Sequence, residues 1–239
     1  MPPFTITTTG HASIARPAER GTLRLSISDS GAEPKTVSQN VVSCTNTLKS
    51  LIKPLHTRTA SGEITPDAKI THWSLGTLST YSYAVADRRD RKKIEKRVFH
   101  ASTTMEVKFR DFTELSNFAS ELAASFPLVD VDGVDWALTD VSKRDLARRV
   151  RSLAGKDALE RAEDYAGTFG KERVFVESIL EEGRGGYGGV AYGVVSTRRA
   201  GGPGGRRGMD GDEGEREGLE FRPEEVEVSA EVTVKFVTE

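Results

Sequence analysis

Apolar and polar residues alternate along the first part of the chain. Residues 4–16 and 21–29 are rich in Thr and Ile, and the two stretches meet around Pro17. One face of the second stretch carries Leu23, Leu25 and Ile27. Because successive side chains of a β-strand point to opposite faces, alternation with a period of two is typical of a strand that buries one side. The pattern therefore predicts two strands joined around Pro17.

Two later segments change to three- and four-residue spacing, which is typical of amphipathic helices. The first begins near Pro34 and stops at Pro54, and its apolar positions are Val37, Val41, Cys44, Leu48, Leu51 and Ile52. The second covers residues 110–125, with Phe112, Leu115, Phe118, Ala119 and Leu122 on one face. Proline is tolerated in the first turn of a helix and disrupts its interior. We therefore predict one helix between the two prolines and a second over 110–125.

The longest helical pattern extends from Ser142 to Phe169. We expect its apolar stripe to consist of Leu146, Val150, Leu153, Leu159, Ala162, Ala166 and Phe169. Asp140 stands just ahead of this segment and is expected to cap its N-terminus, because a side-chain oxygen there accepts hydrogen bonds from unpaired backbone N–H groups. Gly170 suits the C-terminal cap, where glycine adopts a left-handed conformation without strain.

The remaining segments read as strands. They lie at residues 70–85, 98–109, 131–140, 172–182 and 224–239. The charged run 87–97 is interpreted as a solvated hairpin tip between two of them. The last strand alternates strictly, with Val226, Val228, Ala230, Val232, Val234 and Phe236 on one face. Such a strand has to pair in a sheet, and we expect it to end at a sheet edge that pairs with a neighbouring chain.

The order of these elements predicts the fold class. It is ββαββαβαββ, in which strand pairs are connected by short turns. Such pairs favour antiparallel sheets with helices packed on one face, and the order does not fit a doubly wound parallel sheet. We predict an α+β fold in which residues 1–239 form a single domain.

A Gly/Arg-rich segment at about 183–218 precedes the last strand and is therefore an internal insertion. It holds 14 of the 23 glycines, six arginines and five acidic residues. So little apolar area cannot form a packed core, so we predict a flexible connection. Its candidate interaction residues are Arg184, Tyr187, Tyr192, Arg198, Arg199, Arg206 and Arg207.

Composition narrows the classes of function. A net charge of −2 and a pI near 6.2 make nucleic acid an unlikely partner. No run approaches the ~18 apolar residues of a membrane span, and the start of the chain lacks a signal-peptide pattern. We therefore expect an intracellular, cytoplasmic protein. The one cysteine, Cys44, is expected to be a small buried thiol.

The sequence also lacks a recognisable catalytic constellation. The four histidines, His11, His56, His72 and His100, form no pair at metal-ligand spacing. No nucleophile elbow is present, and the glycines of 183–189 are not followed by a helix as a dinucleotide site requires. We predict no catalytic residue, no metal site, no cofactor and no enzymatic activity.

Several stretches together resemble the SIMPL-domain family. They are residues 4–28, 34–53, 98–122, 146–182 and 221–239, in the order of that family's strands and helices. The closest piece is the last, with its Pro, its Glu residues and a Ser-Ala core. The family includes bacterial periplasmic oxidative-stress-defence proteins and immunogens, and a mammalian adaptor associated with an interleukin-receptor kinase.

This resemblance implies an α+β fold, no known catalytic residues and, by analogy with bacterial members, self-assembly into ring- or channel-like homo-oligomers. It leads to a first hypothesis of a non-enzymatic, homo-oligomeric, stress-associated protein. A second hypothesis is an intracellular adaptor that binds a protein partner through the insertion at 183–218. A third, minor one is RNA binding by the arginines and tyrosines of that insertion.

Overall fold

The computed structural model describes residues 2–85, 96–181 and 221–239. These residues form eight strands and three helices: β1 (Thr5–Pro17), β2 (Arg20–Gly31), α1 (Pro34–Leu55), β3 (Ile70–Leu75), β4 (Ser79–Val85), β5 (Lys96–Phe109), α2 (Phe112–Ser125), β6 (Val129–Ala137), α3 (Asp140–Thr168), β7 (Val174–Leu180) and β8 (Glu225–Thr238). All strand pairs are antiparallel. The predicted α+β class is confirmed.

The described residues divide into two compact units. A terminal unit consists of residues 2–18, 138–181 and 224–239, and a central unit consists of residues 19–85, 96–137 and 221–223. The terminal unit contains a three-stranded sheet in the order β1-β8-β7, together with α3. The central unit contains a five-stranded sheet, β3-β5-β2-β6 with β4 also paired to β5, together with α1 and α2.

The core of the central unit follows the predicted patterns closely. Leu23, Leu25 and Ile27 of β2 are fully buried, as the alternation of β2 predicts. They share one cluster with buried residues of α1 and α2, namely Val37, Val41, Leu48, Ile52, Leu115, Phe118, Ala119 and Leu122. Cys44 is half-buried at the border of this cluster rather than enclosed by it. Partial burial raises the pKa of the Cys44 thiol above its ordinary value.

Strand pairing differs from the simplest reading of the sequence. β1 and β2 are consecutive but do not pair, because β1 pairs with β8 and β2 pairs with β5 and β6. The predicted strand over 70–85 is two strands. Residues 76–78 separate them and lie opposite only Thr103 and Thr104 of β5, and Gly76 donates its N–H to the Thr104 carbonyl at 2.8 Å. The extra residue breaks the ladder, as in a β-bulge.

The stripe predicted for α3 is confirmed in part. Leu146, Val150, Ala162 and Ala166 are buried as expected, but Leu153, Leu159 and Phe169 are exposed. Ala154 and Ala158, which the prediction left out, are buried instead and complete an alanine row with four-residue spacing. The physical reason is a close approach of α3 to β1, which leaves room only for methyl groups.

The ends of α3 are close to their predicted places. Thr139, not Asp140, is the N-cap, and its hydroxyl accepts from the backbone N–H of Ser142 at 3.4 Å. Asp140 lies in the first turn, where a carboxylate is favoured by the helix dipole. Gly170, at φ +72°, takes the left-handed conformation after the C-cap Phe169, as predicted.

Candidate interaction surface

The outer strands of the three-stranded sheet in the terminal unit are β1 and β7, and α3 packs against β1. Gly10 of β1 lies directly under α3: a Cβ atom added there would be 2.0 Å from the Ala154 carbonyl oxygen and 2.9 Å from the Ala158 Cβ. The Thr8 hydroxyl donates to the Ala158 carbonyl at 2.7 Å, and both groups are buried. The helix is therefore held against β1 by small residues and a buried hydrogen bond.

Polar side chains of α3 also satisfy the backbone of β1. Asp157 accepts from the His11 backbone N–H at 2.8 Å, and Arg161 donates to the Thr9 carbonyl at 3.2 Å. The His11 N–H, with Arg161 beside it, holds the pKa of the Asp157 carboxyl below its ordinary value. Edge strands whose backbone groups are already bonded do not accept a further strand. These two backbone groups of β1 are therefore not available to a further strand.

β8 lies between β1 and β7 and is paired on both sides. The expectation that the C-terminal strand ends at a sheet edge is therefore wrong. The edge strands are β1 and β7, and among the described residues no strand pairs with the outer side of β7. An unpaired row of backbone N–H and C=O groups is a template for pairing with another chain. The sequence signalled a strand here but not its place in the sheet.

β7, whose outer side no described strand pairs with, is also apolar. The relative exposures are 49% for Phe175, 56% for Val176, 65% for Ile179 and 58% for Leu180. Exposed apolar residues scattered singly are ordinary, but four on one seven-residue strand make it unusually apolar for an exposed strand. The strand contains an irregularity between Val176 and Ser178, which leaves Glu177 as the extra residue.

A groove of about 300 Å³ lies between α3 and the inner side of β7. Its lining is apolar except at the rim: Gly155, Leu159, Val176, Ile179, Val232, Val234 and Phe236, with Arg151 and Glu181. The two rim charges form an ion pair at 3.9 Å. Gly155 keeps the groove open on the helix side, since nothing lies within 4 Å of the place of its missing Cβ. The outer edge of β7 and the groove together are called the β7 surface below.

The central unit shows two lesser features. Tyr81 of β4 packs against His100 of β5 with ring centroids 4.7 Å apart, and the ring centroids of Tyr81 and Tyr83 are 6.3 Å apart. A shallow polar hollow of about 230 Å³ is lined by Thr22, His72, Glu106, Lys108 and Asp135. Asp135 is ion-paired with Arg24 at 3.0 Å. A salt bridge so exposed is a weak contact rather than an activated group.

The prediction that the chain has no metal site is based first on its histidines, so their contacts bear on it directly. His56 is bonded to the Ile70 carbonyl at 3.0 Å, and His100 to the Ser30 hydroxyl at 2.7 Å. His11 and Glu231 are 3.9 Å apart on the sheet surface. Across residues 2–85, 96–181 and 221–239, no three His, Cys, Asp or Glu side chains are placed to hold a metal ion. Over the same ranges, no helix combines the length and apolar character that a bilayer crossing requires.

The interaction residues predicted in the 183–218 insertion lie outside the described residues. They are Arg184, Tyr187, Tyr192, Arg198, Arg199, Arg206 and Arg207. The β7 surface, which sequence reasoning did not single out, ends at Glu181, two positions before residue 183. The sequence did contain one signal for this surface. Residues 174–180 place apolar side chains on both faces of the strand, whereas a strand with one solvated face needs them on one face only.

A family model described as SIMPL, protein of unknown function (DUF541), matches residues 6–236, which is nearly the whole chain. No curated protein matches it.

Proposed function

This chain belongs to the SIMPL (DUF541) family, and on that premise we propose that it is a non-enzymatic protein that self-assembles into a homo-oligomer. The observation that carries the proposal is the β7 surface, a strand whose outer side pairs with no described strand and which has four exposed apolar side chains beside an apolar groove. The stress-associated role that the family resemblance implies is part of the same proposal.

The strength of such an association can be bounded. Full burial of an aliphatic or aromatic side chain contributes about 1.5–3 kcal/mol, so covering the exposed half of one contributes about 1 kcal/mol. Four side chains from each of two copies then supply about 8 kcal/mol, within the range of about 4–15 kcal/mol that association costs. Backbone hydrogen bonds between the strands add to this. We therefore expect reversible, concentration-dependent assembly rather than a permanent complex.

Light scattering over a dilution series of the purified chain tests self-assembly. The expected result is a particle whose mass is a multiple of 26.1 kDa and decreases on dilution. A monomer throughout the micromolar range would contradict the proposal.

A second candidate function is that of an intracellular adaptor for another protein. The groove favours it, because an extended segment added beside β7 would place every second side chain over Leu159 and Ile179. If the chain is an adaptor, we expect a protein captured from the source cell to protect the β7 amides from hydrogen exchange, and we expect the isolated chain to be monomeric. Protection of the same amides in the isolated chain, with a concentration-dependent mass, favours self-assembly instead.

A further inference from the structure

The irregularity in β7 changes which side chains share a face. Before it, Val176 lies opposite Phe236 of β8, and after it Ile179 lies opposite Val234. Phe236 and Val234 are both buried toward α3, so Val176 and Ile179 share that inner face although they are three residues apart. In a regular strand, residues an odd number apart point to opposite faces.

The remaining two apolar residues share the outer face. Phe175 lies opposite Val237 and Leu180 opposite Thr233. The apolar residues of β7 therefore form two pairs, one on each face, with Glu177 and Ser178 between them. This arrangement is nearly symmetric about a point between residues 177 and 178.

We propose that two copies of this chain pair through β7 about a two-fold axis at that point, joining their three-stranded sheets into one. The inference rests on the proposed function and names its contact. In this register, Val176 lies opposite the partner's Ile179, and Phe175 opposite the partner's Leu180. Each opposed pair then lies on one face, as antiparallel pairing requires. All four exposed apolar side chains are covered by apolar side chains of the partner.

The irregularity selects this register against its neighbours. If Val176 lay opposite the partner's Val176, Val174 would lie opposite the partner's Ser178, and an inner residue would face an outer one. A shift of one residue moves side chains to the wrong face, which strongly specifies register wherever a face is buried. Bulges commonly blunt an edge against a regular strand. Here the strand that matches the irregular β7 is the β7 of a second copy of the chain.

Charges near the proposed axis are already compensated within each chain. Glu177 is ion-paired with Lys235 of β8 at 3.0 Å. Glu181 is ion-paired with Arg151 of α3 at 3.9 Å. Two copies therefore meet without an unpaired carboxylate opposite a carboxylate.

Disulfide trapping tests the register. Directly opposed residues of an antiparallel pair have Cα atoms about 4.5–5.5 Å apart, within the range of a disulfide. In a Cys44→Ser background, a Val176→Cys chain is mixed with a differently tagged Ile179→Cys chain and oxidised. We expect a mixed disulfide dimer, and likewise for Phe175→Cys with Leu180→Cys. The matched control, Val176→Cys with Leu180→Cys, places the two thiols on opposite faces and should not cross-link.

A second measurement does not depend on cysteine chemistry. Ile179→Glu places a charge in the interface and should raise the dissociation constant at least about tenfold. Val141→Glu is the control, because Val141 is 72% exposed on α3 away from β7 and gains a favourable first-turn carboxylate. It should leave the mass unchanged. Both sites are exposed, so far-ultraviolet circular dichroism should match the parent chain.

The outcomes separate the inference from the proposed function. An oligomer that cross-links at 176–179 and dissociates with Ile179→Glu supports both. An oligomer that shows neither effect overturns the β7 pairing and leaves self-assembly standing through another surface. A chain that is monomeric at all concentrations overturns both.

Discussion

At the scale of single residues, Gly10 decides how closely α3 approaches the terminal sheet. The nearest atoms to its missing Cβ are backbone atoms of Ala154 and Ala158, which cannot rotate away as a side chain would. Interiors are packed densely enough that one added methyl group in such a place forces the elements apart. The glycine is therefore required by packing rather than by its backbone conformation.

Gly10→Ala is expected to lower the free energy of unfolding by about 2–3 kcal/mol, because α3 must move away from β1. Gly167→Ala is the matched control. Gly167 lies in α3, and nothing is within 4 Å of the new methyl group. This substitution should raise the free energy of unfolding by up to about 1 kcal/mol through helix propensity. Urea unfolding of the three chains measures both. Equal stability of Gly10→Ala and the parent would contradict the close approach.

Asp111 is a second residue whose role can be read from its contacts. Its carboxylate accepts from the backbone N–H groups of Thr113 and Glu114 at 3.0 and 3.1 Å, capping α2, and is ion-paired with Lys69. The hydrogen bond from Lys69, together with the cap, holds the pKa of Asp111 below its ordinary value. The ionised form is therefore the form that the fold prefers.

The lowered pKa of Asp111 determines the direction in which the stability of the fold changes with pH. A carboxyl whose folded-state pKa is depressed stabilises the fold above its unfolded pKa, near 3.8, and the contribution is lost as the pH falls through the folded pKa. Asp111→Asn keeps an oxygen acceptor for the cap but does not titrate. We expect the parent chain to be more stable than this variant at about pH 6, and the difference to shrink toward about pH 3. Urea unfolding at both pH values measures it; a constant difference would contradict the role of the charge.

At the scale of elements, α3 shows where periodicity misleads. Leu146 and Val150 obey the apolar spacing and are buried, but beyond them the larger residues Leu153 and Leu159 turn outward and alanines turn inward. A hydrophobic pattern ranks residues by their own transfer free energy. It contains no information about the distance to the neighbouring strand, which here admits only small side chains.

Ala158→Leu should therefore lower the free energy of unfolding by about 2–3 kcal/mol through overpacking against Gly10. Leu153→Ala, which removes an exposed side chain from the same helix, should change it by no more than about 0.5 kcal/mol. Thermal or urea unfolding compares the two variants. If Leu153→Ala were the more damaging substitution, the helix would face the sheet with the stripe expected from the sequence.

β7 shows the same limit for strands, since its local sequence does not reveal which strands it pairs with. The sequence identifies it as a strand, yet nothing in residues 174–180 says that β8 occupies one side and that no described strand occupies the other. Similarly, β1 and β2 are predicted correctly as strands and enter different sheets. Backbone pairing is non-local, and a partner 220 residues away leaves no mark on a local pattern.

At the scale of the whole molecule, the described chain is organised as two units, with β7 and β8 of the terminal unit joined by the Gly/Arg-rich insertion. β7 ends opposite Thr233 of β8, and β8 begins at Glu225, eight residues before Thr233. The connecting segment therefore has to span the length of those eight residues. At about 3.3 Å per residue this is about 26 Å, which a flexible linker of about 15 residues spans.

Replacement of residues 183–218 by such a linker should preserve the helix and strand content and the native mass, because the β7 surface does not include the insertion. Circular dichroism and light scattering measure the two. A particle that becomes monomeric while its circular dichroism is unchanged would assign assembly to the insertion. Retention of the mass together with loss of a protein partner would support the adaptor function for that segment.

The sequence by itself determined the strands and helices, the fold class, the family and most of the central core, because these depend on local periodicity and on the transfer of apolar side chains out of water. The tertiary structure alone decided which strands pair, which face of α3 is buried, and that no described strand covers the outer side of β7. Those properties depend on distances between segments far apart in the chain. The β7 surface results from them, since a strand becomes an interaction site only when its neighbours leave it unpaired.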